Sequence, residues 1–373
     1  MHYITERSGG LMKYGIAGMI LFLIIFVLTG CGAAASQQTE VPESFLVLEW
    51  NVQALHDGLD NGNEYGEYLE SAGWTSEKYM ARITAISQAL IQSFQPAGSS
   101  KAEVPGLIGF VEIENAGVLE DLARGALSKY GYYWTAFAIL PGSSLGIGFL
   151  SRFPLKDVRT HSITIEDNTA PRPVLEVKVE PGGKPLIFLL CHWKSKLGGD
   201  SATESLRRAS ARVVQRRLRE IRETEAEIPV IVMGDLNENH DEFSRRLILS
   251  ALLPDNPDAA AMAAGAPDDF LVLSGEKPPR PDSFPEDVPI LYSPWYDEMN
   301  NGSYYYRDGW ETIDHFLLSD RLFDGLGWDY AGYQVLNQAP FATKEGTPNS
   351  YNPRNGFGLS DHLPLLLFLQ FIQ

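Results

Sequence analysis

Short segments spread along the 373-residue chain carry side chains that could do chemistry. They read Glu49-Trp50-Asn51, Glu112-Ile113-Glu114-Asn115, Cys191-His192-Trp193-Lys194-Ser195-Lys196, Gly234-Asp235-Leu236-Asn237, Ile313-Asp314-His315 and Ser360-Asp361-His362. Carboxylates and amides are hard oxygen donors of the kind that hold Mg2+ or Mn2+. Histidine is the side chain that changes charge near neutral pH. A cation, an aligned water and proton carriers are the parts of a metal-assisted hydrolysis. Glu112 interrupts an otherwise apolar run and needs a partner there. Asp235 and Asn237 alternate along an extended segment, which puts both on one face while Leu236 packs inward.

Such segments need a scaffold, and each stands beside or inside an apolar run rich in β-branched and aromatic residues. Strands are expected at 45–50, 107–113, 133–139, 147–150, 174–179, 186–191, 229–233, 312–318 and 365–371. Most are nearly continuous in apolar residues, which suits sheets covered on both faces. Between them, 75–94 and 204–228 carry helical spacing. The second opens on a Ser201-x-x-Glu204 capping box and aligns Leu206, Val213, Val214, Leu218 and Ile221 as one apolar stripe. Its seven arginines, at 207, 208, 212, 216, 217, 219 and 222, read mostly as a solvated face, because Glu204, Glu220 and Glu223 stand four residues from Arg208, Arg216 and Arg219. Strands alternating with helices make the class α/β, and strand ends are where such folds place their sites. The Ala/Pro/Asp-rich stretch from about 254 to 298 lacks periodicity and reads as a surface insertion.

The order Asn, Glu, His, Asp-x-Asn, Asp and Asp-His along these runs resembles the endonuclease/exonuclease/phosphatase superfamily, over about residues 45–371. Within it, Asn51-Val52-Gln53-Ala54-Leu55, Glu112-Ile113-Glu114-Asn115, Ser151-Arg152-Phe153-Pro154, His192-Trp193-Lys194-Ser195-Lys196 and Ser360-Asp361-His362-Leu363-Pro364 are similar to signatures of bacterial secreted nucleases. The resemblance implies one domain over 45–373 with the deoxyribonuclease-I-like fold, a four-layer α/β/β/α sandwich. It implies phosphodiester hydrolysis with Mg2+ or Mn2+ held by Glu112 and the amide oxygen of Asn51. Asp361 would be a second metal ligand or an acceptor behind the first. Asp235 and Asn237 would orient or activate water and hold a phosphate oxygen. His362 would be paired with Asp314, which fixes its tautomer and favours its charged form; either His362 or Asp235 takes the proton from water. His192 is similar to the family's second histidine, which stabilises or protonates the leaving oxygen. Lys194 and Ser195 would bind phosphate or form a solvated loop. One departure stands out: related nucleases commonly carry Asn where this chain has Cys191. Tyr304-Tyr305-Tyr306 and Trp310 read as strand packing ahead of contact with a base or a lipid headgroup.

With 44% hydrophobic and 21% charged residues, neither a disordered nor a fibrous chain is expected. A net charge of −18 argues against a protein that grips nucleic acid over a broad basic face, though not against an enzyme that neutralises one phosphate with a metal ion. Two cysteines, Cys31 and Cys191, exclude a disulfide framework and a multi-Cys zinc site. The apolar run 15–28 is short for a membrane span and follows Lys13; it ends in Leu28-Thr29-Gly30-Cys31, which resembles a lipobox. Residues 1–31 are therefore expected to be a lipoprotein signal peptide ending at a lipid-modified Cys31, and 32–44 a flexible spacer. Losing Arg7, Lys13 and Glu6 leaves 28 basic and 47 acidic residues, a net −19. The expectation is an extracytoplasmic enzyme of the bacterial cell envelope, meeting the membrane through its anchor and nucleic acid as substrate, with no protein partner inferred. A sphingomyelinase-like phospholipase or phosphatase is the first alternative, and a catalytically silent surface binder the second.

Overall fold

The computed structural model describes residues 40–94, 103–165, 168–169, 172–240, 251–252, 271–279, 287–297 and 301–373. In chain order the elements begin with β1 (Ser44–Leu55), α1 (Ser76–Ser93), β2 (Leu107–Ile113), α2 (Ala116–Arg124), β3 (Trp134–Ala138), β4 (Gly146–Ser151) and β5 (Lys156–His161). The two-residue strands β6 (Thr164–Ile165) and β7 (Asn168–Thr169) come next, then β8 (Val174–Val179), β9 (Leu186–His192), α3 (Asp200–Thr224) and β10 (Val230–Asp235). The rest are β11 (Ala251–Leu252), β12 (Leu271–Ser274), β13 (Ile290–Tyr292), β14 (Tyr304–Tyr306), β15 (Gly309–Glu311), β16 (Asp314–Ser319), β17 (Gly327–Val335) and β18 (Leu365–Ile372). The expected apolar runs all fall on strands, and the two helical patterns on α1 and α3.

Two sheets carry the molecule. The first runs β17-β18-β1-β2-β4-β3, the second β11-β12-β13-β16-β10-β9-β8-β5. The parallel pairs β1–β2 and β9–β10 lie inside their sheets, so their strand ends point the same way within each pair. The sheets pack face to face: Phe45 of β1 meets Phe188 of β9 with ring centroids 6.4 Å apart. At Gly109 of β2 a Cβ would stand 2.7 Å from Met233 Cε of β10, so the missing side chain lets the layers close. The outer face of the second sheet, with Ile187, Leu189 and Val232, is covered by Val213, Val214, Leu218 and Ile221 of α3, each buried side chain contributing about 1.5–3 kcal/mol. On the first sheet α2 buries Val118, Leu119 and Leu122, and α1 buries Ile83, Ile86 and Leu90, in the core shared with β1, β2 and β4. The result is the four-layer α/β/β/α sandwich.

Three local expectations change. The helix α3 starts at Asp200 with Gly199 as its N-cap, and no side chain caps it, so the Ser201/Glu204 box is not formed. Two of its arginines are not solvated. Arg207 is fully buried against Glu238 (2.5 Å) and Asp200 (2.6 Å), and Arg217 donates to Glu176 through Nε and Nη2 (2.7 and 2.8 Å). Finally, the described parts of 254–298 are not a surface insertion: β12 and β13 extend the second sheet, and Leu271, Leu273 and Leu291 are buried in its α3-side core. Strands of three or four residues are too short for periodicity to show. The remainder of that stretch, with the proposed signal peptide, Cys31 and all but the last residues of the spacer, lies outside the described residues. Among the described residues no helix is long and apolar enough to cross a membrane.

Candidate active site

The first sheet supplies one half of a buried polar centre. After Asn51 the strand β1 bulges, and its register against β2 shifts between Asn51 and Leu55. Gln53 and Ala54 take left-handed φ values of 54° and 52°, and Glu112 on β2 takes 68°. Such a backbone costs about 1–3 kcal/mol at a residue with a side chain, and persists where neighbours enforce it. Here the enforcement is visible: the Gln53 N–H donates to Asn51 Oδ1 (3.0 Å) and the Ala54 N–H to Glu112 Oε2 (2.7 Å). The other Glu112 oxygen, Oε1, lies 3.7 Å from His192 Nε2. Deeper on β1, Glu49 is fully buried with neither carboxyl oxygen partnered.

The second sheet supplies Asp235 and Asp314 of the other half, and the loop leading into β18 of the first sheet brings His362 to them. Asp235, at the end of β10, accepts from Asn51 Nδ2 (3.0 Å) and lies 3.7 Å from His192 Nε2. Gly234 before it has φ 122°, and a Cβ there would strike Cys191 O at 2.0 Å, so only glycine lets β9 and β10 bring His192 and Asp235 side by side. Asp314, at the start of β16, accepts from Ser303 Oγ (2.5 Å) and pairs with His362 Nδ1 (2.8 Å). Tyr304 stacks on the His362 imidazole, with ring centroids 4.5 Å apart. Among the described residues, Asp235, Asp314 and His362 offer ligand atoms all within 4.8 Å of one another.

Burial and neighbouring charge sort the titrating groups. Burial, then Arg172, His362 and Lys194, hold His192 well below the usual histidine range, so it is a neutral ring. Burial pulls His362 down as well, but the charge and hydrogen bond of Asp314 override it, and His362 ends well above that range as a cation. Asp235 is pushed up to about 7 by burial and then by Asp314, with His362 and Arg172 opposing. Asp361, 3.9 Å from His362 Nε2, is raised first by burial. Glu49 is pushed well up by burial and then by Asp314 and Asp235. The pattern separates a cationic His362 from an Asp235 whose carboxyl titrates near neutrality.

The residues singled out in the sequence meet here with few exceptions. Asn51, Glu112, His192, Asp235, Asn237, Asp314, Asp361 and His362 form one centre between the sheets. Lys194 stands at its edge: its charge bears on His192, and its carbonyl accepts from Arg207. Ser195 follows it in the half-buried loop. Asp235 and Asn237 do not simply alternate on an extended segment. Asn237 turns left-handed, with φ 53°, its N–H donating to Asp235 Oδ1 (2.9 Å) and its Nδ2 to Trp193 O (3.2 Å), while Leu236 is buried as expected. Cys191 packs into the α3-side core, away from His192 on the same strand, and burial pushes its thiol up to about 12. The Asn-to-Cys departure is therefore a packing difference. Sequence reasoning missed Arg172, which bonds Trp193 O and whose charge reaches His192 and Asp235. It also missed the role of Ser360, although that hydroxyl sits inside the Ser-Asp-His motif.

Two stacked sheets with carboxylates, amides and histidines gathered at one end define a hydrolase fold. The profile of the Endonuclease/Exonuclease/phosphatase family matches residues 46–263, more than half of the chain. The chain belongs to that family, whose enzymes are usually phosphoesterases dependent on a divalent metal. Among solved structures it is similar to the catalytic domain of human Nocturnin with bound sulfate, at 15% identity and a TM-score of 0.50, over 89% of this chain and 96% of that one. It is likewise similar to a humanized D. rerio TDP2 carrying 14 mutations, at 12% identity and a TM-score of 0.50, over 88% of this chain and all of that one. These likenesses concern the fold. No curated protein matches the sequence.

Proposed function

We propose that the protein is a divalent-metal-dependent phosphodiester hydrolase, a nuclease cleaving DNA or RNA outside the cytoplasm and tethered through a lipid on Cys31. The observation that carries the enzymatic reading is the division of the centre into a cationic His362–Asp314 pair and a near-neutral Asp235, facing Glu112 and Asn51. Four carboxyl groups, Glu112, Asp235, Asp314 and Asp361, gather beside His362 and Arg172, a set of hard oxygen donors that fits Mg2+ or Mn2+. Glu112 and Asn51 would hold the ion, with Asp361 beside it. The bound cation would neutralise charge on the phosphate and draw the Asp235 pKa back down. Asp235 then accepts the proton of the attacking water, held in place by its bonds from Asn51 and Asn237. His362 donates to a phosphate oxygen, oriented by Asp314. His192, neutral, donates a hydrogen bond toward the leaving oxygen. Lys194, Ser195 and Arg172 line the phosphate side.

The acidic net charge of −18 favours a second reading, a phospholipase or phosphatase that does not depend on a polyanion. Incubating the full protein with plasmid, RNA, sphingomyelin and small phosphate esters, with and without Mg2+, separates the two. Metal-dependent cleavage of plasmid or RNA supports the nuclease. Turnover of lipid or monoester alone promotes the second reading. For location, mass spectrometry of membrane-associated protein should find a diacylglyceryl group on Cys31, and an unmodified Cys31 inside an intact chain rejects the anchor.

A further inference from the structure

A buried arginine on α1 holds the strained bulge that carries half of the centre. Arg82 is 2% exposed, and its guanidinium gathers three successive backbone carbonyls: Val52 O (2.6 Å), Gln53 O (2.6 Å) and Ala54 O (2.9 Å). It also meets the Tyr68 hydroxyl (3.3 Å) and ring and the Tyr351 ring, whose centroid lies 3.8 Å from the guanidinium carbon, while Glu112 reaches it through charge without a hydrogen bond. A cation this deep normally sits against a carboxylate, and one bonded instead to carbonyls and aromatic rings needs a reason. The reason lies on the other side of the same peptides. Carbonyls of the bulge point at Arg82, while its amides point at Asn51 Oδ1 and Glu112 Oε2. Left to itself, a pair of consecutive left-handed residues with side chains would relax, and both amides would turn away. A planar fork of fixed N–H vectors is suited to hold several carbonyls at once, where an ammonium would hold them one at a time. Tyr351 closes the arrangement from outside, with Gln53 Nε2 donating to Tyr351 O (3.2 Å) and the Tyr351 N–H to Gln53 Oε1 (2.7 Å).

We propose that Arg82 is a positioning residue for the divalent cation: by fixing the 52–54 bulge it sets the orientation of Asn51 and Glu112, and so the affinity of the metal site, from outside that site. The inference rests on the metal-dependent reading above. The test titrates Mn2+ into the full protein by electron paramagnetic resonance, for wild type, Arg82→Met, Arg82→Lys and Ile86→Ala. Ile86 is buried on the same helix and touches no part of the bulge's hydrogen bonding, so it reports general loosening of α1. Arg82→Met is expected to raise the Mn2+ Kd at least tenfold. Arg82→Lys, which keeps the charge and folds more readily, should raise it severalfold, with excess Mn2+ restoring most of the lost kcat. Ile86→Ala should lower Tm while leaving Kd within twofold. An unchanged Kd in Arg82→Lys, or an equal loss of affinity in Ile86→Ala, overturns the proposal while leaving the metal reading intact. Wild type that binds no Mn2+ overturns both.

Discussion

The two halves of the centre are held by different physics. On the first sheet, Asn51 and Glu112 are aimed by backbone: a bulge, left-handed residues and two peptide amides. On the second, Asp235 and Asp314, with His362 brought to them by the loop before β18 of the first, are aimed and tuned by one another's charge in a buried setting. The first half is therefore set by backbone geometry, whereas the second responds to pH through its own protons. The difference teaches that one centre can be oriented in part by strained backbone and in part by paired side chains, and on the reading proposed above the first would hold the metal and the second would handle protons, each failing in its own way.

The largest effect should come from the second half. Asp235→Asn removes the proton acceptor while keeping the side chain's shape and one of its two accepted bonds, since one oxygen becomes an NH2 that cannot accept from Asn51 or Asn237, and kcat should fall roughly 10³-fold or more. Mn2+ affinity measured alongside should change far less. A loss of affinity as large as that of kcat would erase the division between the halves. Next comes Glu112→Gln, expected to lower kcat/KM by roughly 10²-fold, about 2.7 kcal/mol of transition-state stabilisation, and to weaken Mn2+ binding. Unchanged activity and an unchanged metal titration would remove Glu112 from the site.

A pH experiment sharpens the comparison at a smaller scale. In metal-free protein Asp235 has a folded pKa of about 7 against an ordinary 3.8, so between those values the folded state binds the extra proton. Stability from this group should then fall as pH rises from about 4 to 7. His362, raised in the fold, works in the same direction: its contribution is complete below the ordinary histidine pKa of 6.5 and is lost as pH rises through the folded value. Melting curves in EDTA should show Tm dropping over that window, with a flatter profile in Asp235→Asn. A wild-type Tm that climbs from pH 5 to 7, or a variant whose Tm falls as steeply as the wild type's, would contradict the assignment. The smallest effect should lie farthest away. Arg212 and Arg216 are exposed on α3, which packs its apolar stripe on the second sheet. Replacing both with Ala should leave DNA cleavage and its salt slope within twofold of wild type. A salt slope reduced by one or two units would bring α3 to the substrate.

How much of this could be read beforehand follows from what leaves a local trace. Strands such as β2 and β8 are rich in apolar residues with only single polar interruptions, and their sequence limits coincide with the observed ones. The edge strand β5, Lys156–His161, is almost entirely exposed and polar, so no hydrophobic pattern marks it. The half-exposed β17 and the nine-residue α2 escaped for similar reasons. At the site, residue types at strand ends were legible because carboxylates and histidines interrupt apolar runs. Their orientation was not. A glutamate at φ 68° has no compositional signature, an arginine on a helix such as Arg82 or Arg207 reads as solvated, and Arg172 bears on the site only through the fold.

A single hydroxyl joins the two halves. Ser360 Oγ donates to Asn51 O (2.6 Å) and accepts from the His362 N–H (3.0 Å), so one oxygen is bonded both to the chain of β1 at Asn51 and to that of His362. Both partners belong to the first sheet, His362 standing just before β18, which pairs with β1, so any sliding of β18 along β1 would have to break one of those bonds or carry both partners with it. The spacing between Asn51 and His362 is therefore set by a short rigid tether. Adapting it to a bulkier or smaller ester would mean altering that tether and both strands in concert, which makes the dimensions of this centre slow to drift under substitutions made one at a time.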